Sequence, residues 1–149
     1  NINNEIQKKL NDCNKDEIKN MMSNIITEYI DVHKYAYEIC KSQKVNFYWM
    51  FQPLVFYGKK KLNNKETIWK KNGLSSIHPK FYEIFYEEFS NRVKLFGEIK
   101  SNFSDLSGVF DDIEEQTYID SGHLNRFGNL IVANRISNII FKNNNKKNI

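Results

Sequence analysis

Apolar residues recur along this chain at two spacings, and the switches between them divide it into elements. Ile2, Ile6 and Leu10 come every fourth residue, which predicts a short lead-in helix. Asn14 and Glu17 stand in the relation of a capping box, each side chain able to satisfy the other's backbone N–H. After them Ile18, Met21, Met22, Ile25, Ile26, Tyr29, Ala36, Tyr37 and Cys40 trace one face of a long helix to about Lys41. His33 falls on that face and reads as a core histidine hydrogen-bonded to a neighbour. Val45 to Phe51 (VNFYWMF) then runs apolar without a break, as a strand buried on both faces does. A helix leading into such a strand is the pattern of a covered parallel sheet, with this strand central. Pro53 has no N–H for the ladder and ends it, leaving Gln52, Pro53 and Leu54 at the strand's carboxyl end, where open α/β sheets hold their ligands.

Residues 57–78 are rich in Lys, Asn and Gly and predict a long loop with at most a helical turn around Glu66 to Lys71. Read functionally, this is a lid bringing Tyr57, Trp69 and Lys60 to a ligand; read plainly, its lysines are solvated and Trp69 packs on the surface. Pro79 suits a helix start, and Tyr82, Phe85, Tyr86, Phe89, Val93 and Phe96 follow helical spacing to a stop at Gly97, with Glu83, Glu87 and Glu88 on the solvated side. A second strand is expected around Asn102 to Asp105, with Phe103 and Leu106 as inward anchors. Asn125 then caps a helix whose apolar stripe is Gly128, Val132, Ile136 and Ile140, widened by Ile131 and Ile139. Glycine on that buried stripe lets the helix come close to whatever supports it. Residues 143–149 form a polar tail.

At 149 residues the chain is one domain's worth of material. The net charge of +4 comes from short lysine clusters without the patterning of a nucleic-acid binder, so it reads as solubility. Cys13 and Cys40 lie in helical segments far from any second ligand and read as free thiols, and the acidic run Asp111, Asp112, Glu114, Glu115 lacks the spacing of a calcium loop. No metal or cofactor is expected. No stretch approaches the length of a membrane span and no leader precedes the first helix, which slightly favours a cytoplasmic location.

Chemistry concentrates at Asp120 and His123. A neutral histidine acts as a general base when its other ring nitrogen is held by an acceptor, and a carboxylate three residues earlier on a tight turn supplies one. Tyr118-Ile119-Asp120-Ser121-Gly122-His123-Leu124-Asn125, followed by Gly128-Asn129 and Ala133-Asn134-Arg135-Ile136, resembles the last conserved block of the SGNH (GDSL-like) hydrolases. Phe51-Gln52-Pro53-Leu54-Val55-Phe56-Tyr57-Gly58-Lys59 is similar to a strand and outgoing loop that precede the substrate loop in some of them.

The resemblance implies an α/β fold, the C-terminal part of a flavodoxin-like three-layer α/β/α domain with a parallel sheet flanked by helices. It also implies a serine esterase chemistry in which His123 is the base and Asp120 its orienter. Gln52 and Tyr57 are candidate substrate contacts, and the substrate is a small ester or acylated carbohydrate. The family's Gly-Asp-Ser nucleophile block and its Gly-x-Asn-Asp block have no counterpart in the chain. Two explanations fit: a C-terminal piece of a longer hydrolase, which the start at Asn1 favours, or a degenerate relative that binds without catalysing. The first predicts a vacant sheet edge, open to another chain or to the missing segment.

Overall fold

The computed structural model describes residues 12–74 and 81–146, so the lead-in helix expected at Ile2 to Leu10, along with Ser75, Ser76, Pro79 and the last three residues, lies outside the described residues. Four helices and a two-stranded parallel sheet make up the regular structure among them. Helix α1 runs over Lys15–Ser42, strand β1 over Trp49–Phe51, α2 over Asn64–Leu74 and α3 over Phe81–Val93. A 3-10 turn at Glu98–Asn102 leads into β2 at Phe103–Asp105, and α4 spans Arg126–Lys146. The class is α/β, as expected, with helix predominating over a small sheet. Strand β1, expected to be central, has one strand neighbour, β2, so each strand has one side without a strand partner among the described residues.

The chain divides into two compact units, one of residues 1–50 and 72–104, the other of residues 51–71 and 105–149. In the first, α1 begins as its sequence predicts. Asn14 Oδ1 accepts from the N–H groups of Asp16 and Glu17 at 3.0 Å, while Glu17 Oε2 accepts from Asn14 N at 2.7 Å. The buried face is Ile18, Met22, Ile26 and Ile30, and Met21 and Ile25, expected beside them, stand exposed with Val32, Tyr35 and Ile39. Two apolar rows at four-residue spacing run side by side on this helix, and spacing alone cannot say which one faces inward.

Helix α3 answers with Ile84, Tyr86, Phe89 and Val93. Between the helices lies an aromatic cluster in which Trp49 meets Phe89 and Phe103 edge-on, with ring centroids 5.2 and 5.3 Å apart. His33 takes the structural role expected of it: Nδ1 donates to Tyr29 O at 2.7 Å, and the ring stacks on Trp49 at 4.1 Å. Cys13 and Cys40 form no disulfide, and both are half-buried.

A polar clamp at Arg92 ties α3 to α1, beside the Lys19–Glu88 ion pair at 2.6 Å. Arg92 donates from Nη1 to Ser23 O and Thr27 Oγ1, each at 3.0 Å, and from Nη2 to Ser23 Oγ at 2.9 Å. Its planar fork reaches three acceptors on one turn, which an ammonium cannot do from a single point.

The second unit is built around Val55, Phe110 and Tyr118, with Leu62, Trp69, Ile113, Leu124, Ile131 and Val132 packed against them. Here the expectation of a loop over residues 57–78 is corrected. Residues 64–74 form α2, started by a second capping box in which Asn63 Oδ1 accepts from Glu66 N at 3.0 Å and Glu66 Oε2 from Asn63 N at 3.2 Å. Trp69 and Lys60, two of the three residues offered for a lid, are committed inward. The indole joins the core cluster, and Lys60 Nζ donates to Ile113 O at 2.7 Å and Glu115 O at 2.8 Å. At the far end the backbone of α4 stays helical to Lys146, into the stretch read as a polar tail.

Replacing Arg92 by Ala should destabilise the first unit by about 2 kcal/mol, since a charged donor with several acceptors is worth more than a neutral one. Arg92→Lys should recover only part of that. Urea unfolding followed by Trp49 fluorescence, with Trp69 changed to Phe, measures both; an unchanged midpoint in Arg92→Ala would remove the clamp from the account.

Candidate functional site

Asp120 and His123 sit at the tip of a tight antiparallel hairpin in the second unit. Tyr118 and Leu124 form the bridge at its base, Ile119 N donates to His123 O at 2.9 Å, and Asn125 N donates to Thr117 O at 2.9 Å. With four residues between Ile119 and Leu124 the backbone must reverse sharply. The Asp120 side chain makes that possible: Oδ1 accepts from Gly122 N and from His123 N, both at 2.8 Å. The second oxygen, Oδ2, lies 2.7 Å from His123 Nδ1.

These contacts set the charge of Asp120 and the tautomer of a neutral His123 ring. Hydrogen bonds from the Gly122 backbone, the His123 backbone and the His123 ring hold the Asp120 carboxyl down to about 2. Near neutral pH it is therefore an anion with no hydrogen to give, so the hydrogen between it and the ring belongs to Nδ1. The neutral ring then carries its lone pair on Nε2. His123 has a side-chain exposure of 80% and Asp120 of 49%, so Nε2 opens to solvent, and among the described residues it has no hydrogen-bond partner. An oriented imidazole with an open Nε2 can take a proton from an approaching hydroxyl or water and return it to a leaving group.

The hairpin stands on α4, and the sequence explains how. Asn125 caps the helix, its Oδ1 accepting from Gly128 N at 2.8 Å, and its amide donates back to Gln116 O at 2.6 Å. One side chain thus joins the strand entering the hairpin to the helix leaving it. Gly128 lies where a Cβ would collide with the Thr117 carbonyl oxygen, so the close approach expected of this glycine has a specific partner.

Of the other candidates, Gln52 is exposed just past β1, and Leu54, two residues on, lies under the turn, 3.9 Å from where a Cβ on Gly122 would be. Tyr57 lines a narrow recess with Leu54, Gly58, Lys60, Lys70 and Tyr118, and neither Asp120 nor His123 borders it. Gly58, with φ +107°, makes the turn after Tyr57, and Asp111 Oδ1 accepts from Lys59 N at 2.7 Å. Asp111 thus serves the backbone, and among the described residues no group of three His, Cys, Asp or Glu side chains is placed to hold a metal ion.

Glu66 is the residue that the sequence reading missed. Its side chain is fully buried, and its carboxylate accepts from the backbone of Thr117 and Tyr118 immediately upstream of the hairpin tip. The Asn63-x-x-Glu66 spacing was a visible sign of a helix start, but nothing in it shows a second use of the same carboxylate.

No family profile, curated protein or solved structure matches the chain. Among the described residues, no helix is long and apolar enough to cross a membrane.

Two measurements check this geometry. Gly128→Ala gains about 1 kcal/mol of helix propensity yet must displace a backbone carbonyl, and overpacking of that kind costs about 1–3 kcal/mol, so net destabilisation is expected in thermal unfolding followed by Trp69 fluorescence. Asp120 has a folded value below its ordinary 3.8, so its contribution to folding is complete above about pH 4 and is lost as pH falls through about 2. Carboxyl-carbon NMR should place its midpoint near the lower figure, and a midpoint close to 3.8 would show that the turn does not hold it.

Proposed function

We propose that this chain supplies the acid–base half of a serine esterase or acyl hydrolase of the SGNH type, with His123 as general base and then general acid and Asp120 as its orienter. The observation that carries the reading is the 2.7 Å contact between Asp120 Oδ2 and His123 Nδ1 on a surface hairpin, which leaves Nε2 open. An orienter, a base and a rigid support are three requirements of nucleophilic acyl transfer. The order of the two resembling stretches, the Gln52-Pro53-Leu54 segment and then the Asp-x-x-His turn, adds to it, because Leu54 lies against Gly122 of that turn.

In this mechanism a seryl hydroxyl outside the described residues approaches Nε2. As its oxygen bonds to the ester carbonyl carbon, its proton passes to Nε2, and Asp120 stabilises the imidazolium. Collapse of the tetrahedral intermediate breaks the C–O bond to the alcohol, which leaves with the proton from Nε2. Water then bonds to the acyl carbon as its proton passes to the same nitrogen, and collapse breaks the bond to the seryl oxygen, which takes that proton back, freeing the acid, the serine and the neutral imidazole. A preorganised site needs no carboxylate protonation in either half, and an anion held to about 2 suits that role. Gln52, at the carboxyl end of β1, is the substrate contact we favour over Tyr57. The substrate class is a small ester or an acylated carbohydrate.

The chain as it stands should hydrolyse p-nitrophenyl acetate barely above the buffer rate. Expressed together with the coding sequence upstream of Asn1, it should react with a fluorophosphonate probe, and His123→Ala should then lower kcat by roughly 10³-fold or more with little change in KM. Esterase activity that survives His123→Ala would overturn the reading. So would an upstream sequence without a reactive serine, which would instead favour a binding module carrying a structural Asp–His pair.

A further inference from the structure

The Asp120–His123 hydrogen bond faces solvent, and an exposed contact of this kind holds little by itself. Whatever keeps the hairpin in one place must act at its base. The strand entering that base is gripped from α2. Glu66 Oε1 accepts from Thr117 N at 2.9 Å and Tyr118 N at 3.2 Å, with Thr117 Oγ1 at 3.4 Å. Its other oxygen accepts from Asn63 N at 3.2 Å and faces Lys60 Nζ at 3.7 Å. Lys60, with a side-chain exposure of 6%, donates in turn to Ile113 O and Glu115 O. One buried ion pair therefore holds the backbone of residues 113–118 at four points, two through carbonyls and two through N–H groups. Tyr118, the last of these, is half of the bridge that closes the hairpin.

Neither charge is idle. A buried carboxylate and a buried ammonium are costly unless their lone pairs and hydrogens are used, and here the backbone of one loop, Asn63 N and the pair itself use them. Such an arrangement is poor value as general stabilisation, since an apolar pair of the same size would do as well. It is well suited to fixing a segment of backbone in position and direction.

We propose that Glu66, seated on Lys60, is the positioning residue of the Asp120–His123 pair: it sets where the hairpin stands over Leu54 at the carboxyl end of β1. The importance of this for catalysis rests on the esterase reading, but the positioning itself does not. Glu66 is not placed to touch substrate.

Two variants test it in the chain as described. Glu66→Gln keeps the shape but turns an NH2 toward either the Thr117 and Tyr118 N–H groups or Asn63 N and Lys60 Nζ. Glu66→Asp keeps the charge beside Lys60 but withdraws the carboxylate by one methylene from Thr117 and Tyr118. In protein that remains folded by far-UV circular dichroism, either change should raise amide exchange at Tyr118, Gly122 and His123 by about tenfold or more. It should also move the Asp120 carboxyl midpoint from about 2 toward 3.8.

Lys60→Met should loosen the same amides, because it frees Ile113 and Glu115. Folded Glu66 variants with unchanged exchange and an unchanged Asp120 midpoint would overturn the proposal. Failure of both Glu66 variants to fold would also overturn it, by making Glu66 a folding residue. None of these readouts requires turnover, so an inactive enzyme would count against the esterase reading alone. In an active form, a loss confined to kcat, about 10–100-fold with KM unchanged, would mark displacement of the base and not loss of binding.

Discussion

The two oxygens of Asp120 serve different masters, and the hairpin exists because they do. One closes the backbone turn by accepting two N–H groups; the other orients the imidazole that the turn presents. Folding and chemistry thus draw on the same charge, which must stay ionised for either to hold. The local hydrogen bonds that build the turn are also what lower the carboxyl's affinity for a proton, so the geometry maintains the state it depends on. Asparagine in the same place could accept the backbone hydrogens but would offer the ring no charge.

Around this turn the second unit is layered by distance from solvent. At the tip, His123 and Asp120 are held by backbone and each other. At the base, Asn125 and Gly128 tie strand to helix, one through hydrogen bonds and the other by having no side chain to obstruct Thr117. Deeper still, Glu66 and Lys60 engage the incoming loop. The Tyr118 ring lies in the apolar core with Val55 and Phe110, and burial, reinforced by the Glu66 and Asp111 carboxylates, keeps its phenol protonated well above the ordinary range. The progression is from exposed and open to solvent at the tip to buried and mechanically fixed beneath it.

The first unit follows a separate logic. Its helices meet through interleaved aromatic rings, with Arg92 supplying a three-pronged polar link. Among the described residues, Trp49 Nε1 is buried without a hydrogen-bond partner, an uncommon state for an indole N–H, and its strand has a single strand neighbour.

What the amino-acid order determined by itself is everything governed by contacts between near neighbours. Asn14 with Glu17 starts α1, Asn125 caps α4, Pro53 follows the end of β1, and Asp120 reaches His123, because each involves partners a few residues apart whose geometry the local backbone sets. What only the tertiary structure decided involves partners brought together from distant positions. Which of two adjacent apolar rows on α1 turns inward depends on α3, and spacing is blind to that. Likewise Glu66 resembles any solvated glutamate until Thr117 and Tyr118, some fifty positions later, fold against it. A buried charge is recognisable only by what surrounds it, and its surroundings do not exist until the chain has closed on itself.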